Sequence, residues 1–258
     1  FNYYKNPGQM EDRKVDVVLE DKNGMIWFGT DQGVSSFDGT DFLHYSTTNG
    51  LNEGWTISLL QDKTGVIWAG TTAGLFYLEN NQWKELKLPN LINPGIPALA
   101  EDEDGNLWIG TDTKGIFVYH GLDFSILTKE SGLCNDAIAS LEPQQGDNIR
   151  IISPFCEPLL GTRSQITCAT TLPKDQLRGL LCMASDEEGN LWMGFDFNSV
   201  RRYNGSSIQS FTMKEGMGLR QIQTILTDKN GLIWFGGLGG LYVFDGKIFK
   251  EVSRDGLC

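Results

Sequence analysis

Five aspartates, Asp21, Asp62, Asp102, Asp186 and Asp228, each stand six residues before a tryptophan: Trp27, Trp68, Trp108, Trp192 and Trp234. Carboxylates in such numbers could serve acid–base catalysis or hold calcium. Their common place in an Asp-x-x-Gly turn argues for a structural role. An Asp carboxylate there bonds to backbone amides, and Gly accepts the positive φ the turn needs. The acidic turn Asp102-Glu103-Asp104-Gly105 lacks the longer loop ending in Glu that calcium ligation uses, so it reads as a solvated turn. The two histidines, His44 and His120, fall near the outer edges of their repeats, and no G-x-S-x-G nucleophile motif is present. None of the five cysteines forms the paired short-spaced motif of a zinc site. These residues call for no metal and no cofactor, and they predict a chain that is not an enzyme.

The elements that position these residues are repeats. Asp62–Gly74, DKTGVIWAGTTAG, recurs at residues 21–33, 102–115, 186–199 and 228–240, with tryptophan spacings of 41, 40, 84 and 42. A turn plus a Trp-bearing strand at this period is a propeller signature. Alternation places Met25, Trp27 and Gly29 on one face of their strand and Ile26 and Phe28 on the other. Both faces are therefore buried, as they are between neighbouring blades. The expected fold is all-β, a β-propeller of four-stranded antiparallel blades with six repeats. It forms a single domain over 1–258, with blades near 11–52, 53–93, 94–134, 135–176, 177–218 and 219–258. Phe1–Tyr4 resembles the outer strand Phe42–Tyr45, and Gly256–Cys258 repeats the context of Gly132–Cys134. The chain thus opens and closes in mid-pattern, as a fragment would. Whether six blades close into a ring or form an open arc prone to oligomerise stays open at this stage.

The fourth repeat is degenerate. Its tryptophan position holds Arg150, and its turn reads Gln144-Gln145-Gly146-Asp147. Cys134, Cys156, Cys168 and Cys182 lie in or beside it. They are either small buried residues or disulfides stapling a blade that lost its packing tryptophan. If bridges form, Cys156–Cys168 is the most local candidate, and an oxidising compartment follows.

Charge narrows the partners. A net charge of −12 and a pI near 4.6 disfavour nucleic acid and anionic membrane surfaces. No apolar run is long enough to span a bilayer.

Asp62, Gly65, Ile67, Trp68, Gly70, Thr71, Gly74 and Leu75, with their equivalents near Trp27 and Trp108, resemble the two-component regulator propeller repeat. The copies at Trp192 and Trp234 depart from it: Phe195 and Gly237 replace the Thr, and Ser199 replaces a Gly. The resemblance implies an extracytoplasmic, periplasmic or extracellular sensor propeller of a bacterial hybrid two-component receptor, in some cases one that responds to oligosaccharides. It also implies more blades, a small β-domain and a transmembrane helix, which this chain does not show. Streptogramin lyases share a propeller with loosely similar repeats. Their chemistry implies a histidine near the axis, where neither His44 nor His120 belongs.

Ligand binding is the leading reading, and a protein-interaction scaffold is the alternative. The loops expected to gather at one end of the blades carry Asp31, Gln32, Trp55, Thr72, Asp112, Lys114, Asp196, Phe197, Arg220 and Gln221. Trp55 lies outside the strand position of the repeat. On a polar rim it would stack on a sugar ring, with Asp, Gln and Arg supplying hydrogen bonds. Alternatively Trp55 packs beneath its loop. Phe195 and Phe197 are open to the same two readings.

Overall fold

The computed structural model describes residues 14–258 except 145, 154, 155, 157, 163, 164, 169–171, 173, 197, 198, 229, 254, 255 and 258. Every repeat forms an antiparallel sheet in which neighbours in sequence are neighbours in space. The first blade is β1 (Val15–Glu20), β2 (Ile26–Thr30), β3 (Gly33–Phe37) and β4 (Phe42–Tyr45). The second is β5 (Thr56–Gln61), β6 (Ile67–Thr71), β7 (Gly74–Glu79) and β8 (Gln82–Leu86). The third is β9 (Ala98–Glu101), β10 (Leu107–Gly110), β11 (Ile116–Tyr119) and β12 (Phe124–Leu127). The degenerate fourth still forms four strands: β13 (Ser140–Pro143), β14 (Ile149–Ile152), β15 (Leu159–Gly161) and β16 (Ile166–Cys168). The fifth is β17 (Leu180–Ser185), β18 (Leu191–Phe195), β19 (Val200–Tyr203) and β20 (Ile208–Phe211). The last has β21 (Gln221–Thr227), β22 (Ile233–Leu238), β23 (Gly240–Phe244) and β24 (Phe249–Ser253). It also carries a short fifth strand, β25 (Gly256–Leu257), that the repeat pattern does not announce. These sheets are the blades of a β-propeller.

The strands fall into two compact units, β1–β16 and β17–β25. In the first unit, apolar side chains of one blade pack on those of the next. Trp27, Val34 and Tyr45 meet Ile67, Ala69 and Trp83. Trp68 and Leu75 meet Ile109 and Phe117, and Trp108 and Val118 meet Ile149 and Ile151. In the second unit, Trp192 and Phe211 pack against Phe235, Phe244 and Phe249. No blade could bury both of its faces alone, so stacking supplies the core. The second glycine of the repeat sets the stacking distance. A Cβ on Gly70 would lie 2.5 Å from the Ile96 carbonyl of the next blade.

The turn aspartate joins turn to strand. Asp62 Oδ1 accepts the Val66 N–H at 2.9 Å, and Oδ2 accepts the Trp68 Nε1–H at 2.8 Å. Trp27, Trp108, Trp192 and Trp234 donate in the same way to Asp21, Asp102, Asp186 and Asp228 at 2.8–3.0 Å. Burial would raise the carboxyl pKa of Asp21, Asp62 and Asp186, but these side-chain and backbone donors outweigh it and hold all three below the usual range. The consensus Thr works similarly in the loop between the second and third strands. Thr71 Oγ1 donates to the Gly74 carbonyl at 3.1 Å and accepts the Ala73 N–H at 3.1 Å. Thr30 and Thr111 repeat the pattern.

At the degenerate blade the same geometry is built from different chemistry. The Gln144 N–H donates to the Asn148 carbonyl at 2.9 Å, as Asp21 N–H does to Met25 at 2.9 Å. Arg150 replaces the tryptophan and donates Nη2–H to Gln144 Oε1 at 2.9 Å and Nη1–H to Glu142 Oε2 at 3.0 Å. Burial raises Glu142 to about 7 against the pull of Arg150. Cys134 and Cys156 are disulfide-bonded, whereas the buried Cys182 Sγ–H donates to the Ile222 carbonyl at 3.4 Å. The side chain of Cys168, and with it the expected Cys156–Cys168 bridge, lies outside the described residues.

Candidate ligand-binding loops

In the first unit the candidate residues sit at one end of the blades, where first strands begin and second strands turn into third. Backbone pairs hold each place: Asp31 N–H donates to the Lys14 carbonyl at 3.2 Å, Thr72 to Trp55 at 2.8 Å and Asp112 to Gly95 at 3.0 Å. The Trp55 N–H in turn donates to Thr72 Oγ1 at 3.0 Å. A Cβ on Gly95 would fall 2.7 Å from Asp112 Oδ2, so glycine is required for the carboxylate to rest there. Gln32 and Lys114 are exposed, and their amides are tied to Thr30 and Thr111.

Trp55 does not pack beneath its loop. It is 49% exposed, while Trp27, Trp68, Trp83, Trp108 and Trp192 are buried. Its ring carries the Lys14 ammonium, with Nζ 5.5 Å from the centroid. The same ammonium pairs with Asp16 Oδ1 at 2.5 Å. On nearby backbone positions, Asp31 Oδ1 and Thr56 Oγ1 are buried and have no hydrogen-bond partner among the described residues.

In the second unit Gln221 Nε2–H donates to Asp196 Oδ1 at 2.7 Å, and Asp196 N–H donates to the Gly179 carbonyl at 2.8 Å. Arg220 is exposed, and its amide donates to the Leu238 carbonyl at 2.8 Å. Phe195 is buried on β18 with the Arg201 guanidinium 4.5 Å from its ring centre, so it belongs to the core. Phe197 lies outside the described residues.

The histidines are held in blade edges. His44 Nδ1 bonds with Ser35 Oγ at 3.1 Å. His120 bonds with Asn106 Oδ1 at 2.8 Å and with Ser125 Oγ at 3.0 Å. Asn106 Nδ2 donates to Asp102, the acceptor of Trp108. His120 thereby extends the turn network.

Sequence reasoning missed Lys14, Asp16 and Thr56. The signal for Lys14 was present: it precedes Asp31 by the same interval that separates Trp55 from Thr72 and Gly95 from Asp112.

Residues 90–113 match the family model of the two-component regulator propeller. No curated protein sequence matches the chain. Among solved structures, the extracellular domain of the two-component-system protein BT3049 from B. thetaiotaomicron superposes with a TM-score of 0.81 at 20% identity, over 98% of this chain and 36% of that one. That of the one-component-system protein BT4673 from the same organism gives 0.77 at 20% identity, over 95% and 36%. This chain therefore spans about a third of the length of these two extracellular domains. A catalytically inactive virginiamycin B lyase from Staphylococcus aureus with quinupristin gives 0.73 at 14% identity, over 93% and 84%. These likenesses are of fold.

Proposed function

We propose that the chain is a non-catalytic, ligand-sensing propeller from the periplasmic or extracellular part of a two-component receptor, with an oligosaccharide as the candidate ligand. The observation that carries this reading is the contrast among the tryptophans. All five repeat tryptophans are spent on turn aspartates, while Trp55 stands half-exposed on the loop end among Asp31, Thr72 and Lys14. An exposed indole on a polar rim suits stacking on a sugar ring. Likeness to the extracellular domains supports the sensing role. The bonding of His44 and His120 within blade edges supports binding over a lyase-type turnover.

A thermal-shift screen against oligosaccharides, run on wild type and Trp55→Ala, tests the proposal. A ligand at about 100 times its Kd adds roughly 2.7 kcal/mol, so a hit raises the wild-type midpoint and leaves the variant unmoved. Equal rises in both proteins would remove Trp55 from the site. A broad panel without a hit, with a protein co-purifying instead, would replace this reading with a scaffold.

A further inference from the structure

The chemistry around Trp55 is selective in a way that oligosaccharide stacking alone does not require. An indole face attracts cations through its quadrupole. Here that face already holds one, the Lys14 ammonium at 5.5 Å, and a carboxylate, Asp16 at 2.5 Å, completes its surroundings. Asp31 Oδ1 is buried and, among the described residues, accepts no hydrogen bond. A buried acceptor without a donor is uncommon and costly. The Asp31 backbone is tied to this segment by its N–H bond to the Lys14 carbonyl. An aromatic face and a carboxylate gathered around one ammonium form a recognition set for an N–H-bearing cation.

We propose that the Trp55 corner is a binding site for a protonated primary amine, such as a lysyl side chain or an amino sugar, and that Lys14 occupies it in cis. This deepens the ligand-sensing reading and rests on it for the role of Trp55. An incoming ammonium takes over the indole face and the Asp16 carboxylate. Lys14 is displaced into water, where its exposed side chain is readily solvated. Lys14 is therefore a built-in competitor, and removing its charge strengthens the binding of external amines. From the span of cation–π strengths at exposed to desolvated sites, the gain is roughly 2- to 30-fold in Kd.

The test titrates Nα-acetyl-lysine amide, and separately its Nε-acetylated counterpart, into wild type, Lys14→Met and Trp55→Ala. The readout is the indole N–H resonance of Trp55, assigned with Trp55→Phe. Lys14→Met keeps the apolar stem and removes only the ammonium. The expected result is saturable movement of the Trp55 resonance with the charged amide, tighter in Lys14→Met than in wild type, and none with the neutral amide. In Trp55→Ala, binding of the charged amide by calorimetry is lost. The proposal is overturned if Lys14→Met shows no saturable response, or if charged and neutral amides act alike. A neutral oligosaccharide that moves the Trp55 resonance while the amine does not would leave the sensing reading standing and remove this one.

Discussion

Asp102 offers the sharpest test of how a repeat holds itself together. Its carboxylate is 1% exposed and accepts from the Asn106 backbone N–H at 2.8 Å, from Asn106 Nδ2 at 2.8 and 2.9 Å and from Trp108 Nε1 at 3.0 Å. Trp108 is fully buried, so water cannot replace the lost acceptor. Asp102→Ala leaves the indole and an amide unsatisfied, at about 1–3 kcal/mol each. The expected loss is roughly 2–5 kcal/mol. Trp108→Phe alone orphans the Asp102 oxygen and loses packing. In the Asp102→Ala background, however, it removes an unsatisfied donor, so its cost falls. A double-mutant cycle by urea denaturation, followed by fluorescence and circular dichroism in parallel, should give a coupling of about 1–2 kcal/mol. Costs that add to within about 0.3 kcal/mol would refute the claim that the Asp–Trp bond staples turn to strand.

Further predictions concern the junctions and the degenerate blade. Lys63 Nζ–H donates to the Asp102 and Glu103 carbonyls of the next blade at 2.7 and 2.6 Å, as Lys22 does to Asp62 and Lys63 at 3.0 and 2.8 Å. Lys63→Met should cost about 1 kcal/mol in urea denaturation. Because the acceptors are neutral carbonyls, that cost should barely change with salt; one that vanishes in high salt would indicate an ion pair instead. The folded pKa of Glu142, about 7, lies above its ordinary value of 4.5. The stability it contributes is therefore full below about pH 4.5 and lost as pH rises through 7, by on the order of 3 kcal/mol. Glu142→Gln should flatten that part of the pH–stability curve, and an unchanged slope would place the titration elsewhere. Asp62 runs the other way. Its lowered pKa gives stability present above about pH 4 and lost as pH falls, so Asp62→Asn should blunt acid unfolding in a pH-dependent melt.

The fold was legible because the repeat states each device several times. Asp at the turn, Trp six residues on and Gly two further appear in five copies, and each performs one task in the structure. The degenerate blade was legible in register but not in mechanism. A motif cannot show that Arg150 and Gln144 rebuild the Asp–Trp contact, since neither residue belongs to it. The candidate site was half legible. Trp55 and Trp83 are the two tryptophans that leave the pattern, and only Trp55 lies in a candidate loop; exposure is a property of packing, so sequence alone left both readings of Trp55 open. The place of Lys14 could be read from its interval to Asp31, but its contact with the Trp55 ring, and that of Asp16 with Lys14, lies in packing that sequence does not show. Phe195 looked like a loop residue only because a Thr normally stands there; its side chain turns into the core instead.

The central claim, that Trp55 marks a binding surface while the repeat tryptophans serve the scaffold, is tested most directly by indole N–H resonances recorded as an oligosaccharide hit is titrated in. The account predicts that Trp55 moves saturably and that Trp27, Trp68, Trp108 and Trp192 stay in place. Movement of those four with Trp55 unchanged, or chemical conversion of the ligand during the titration, would contradict it.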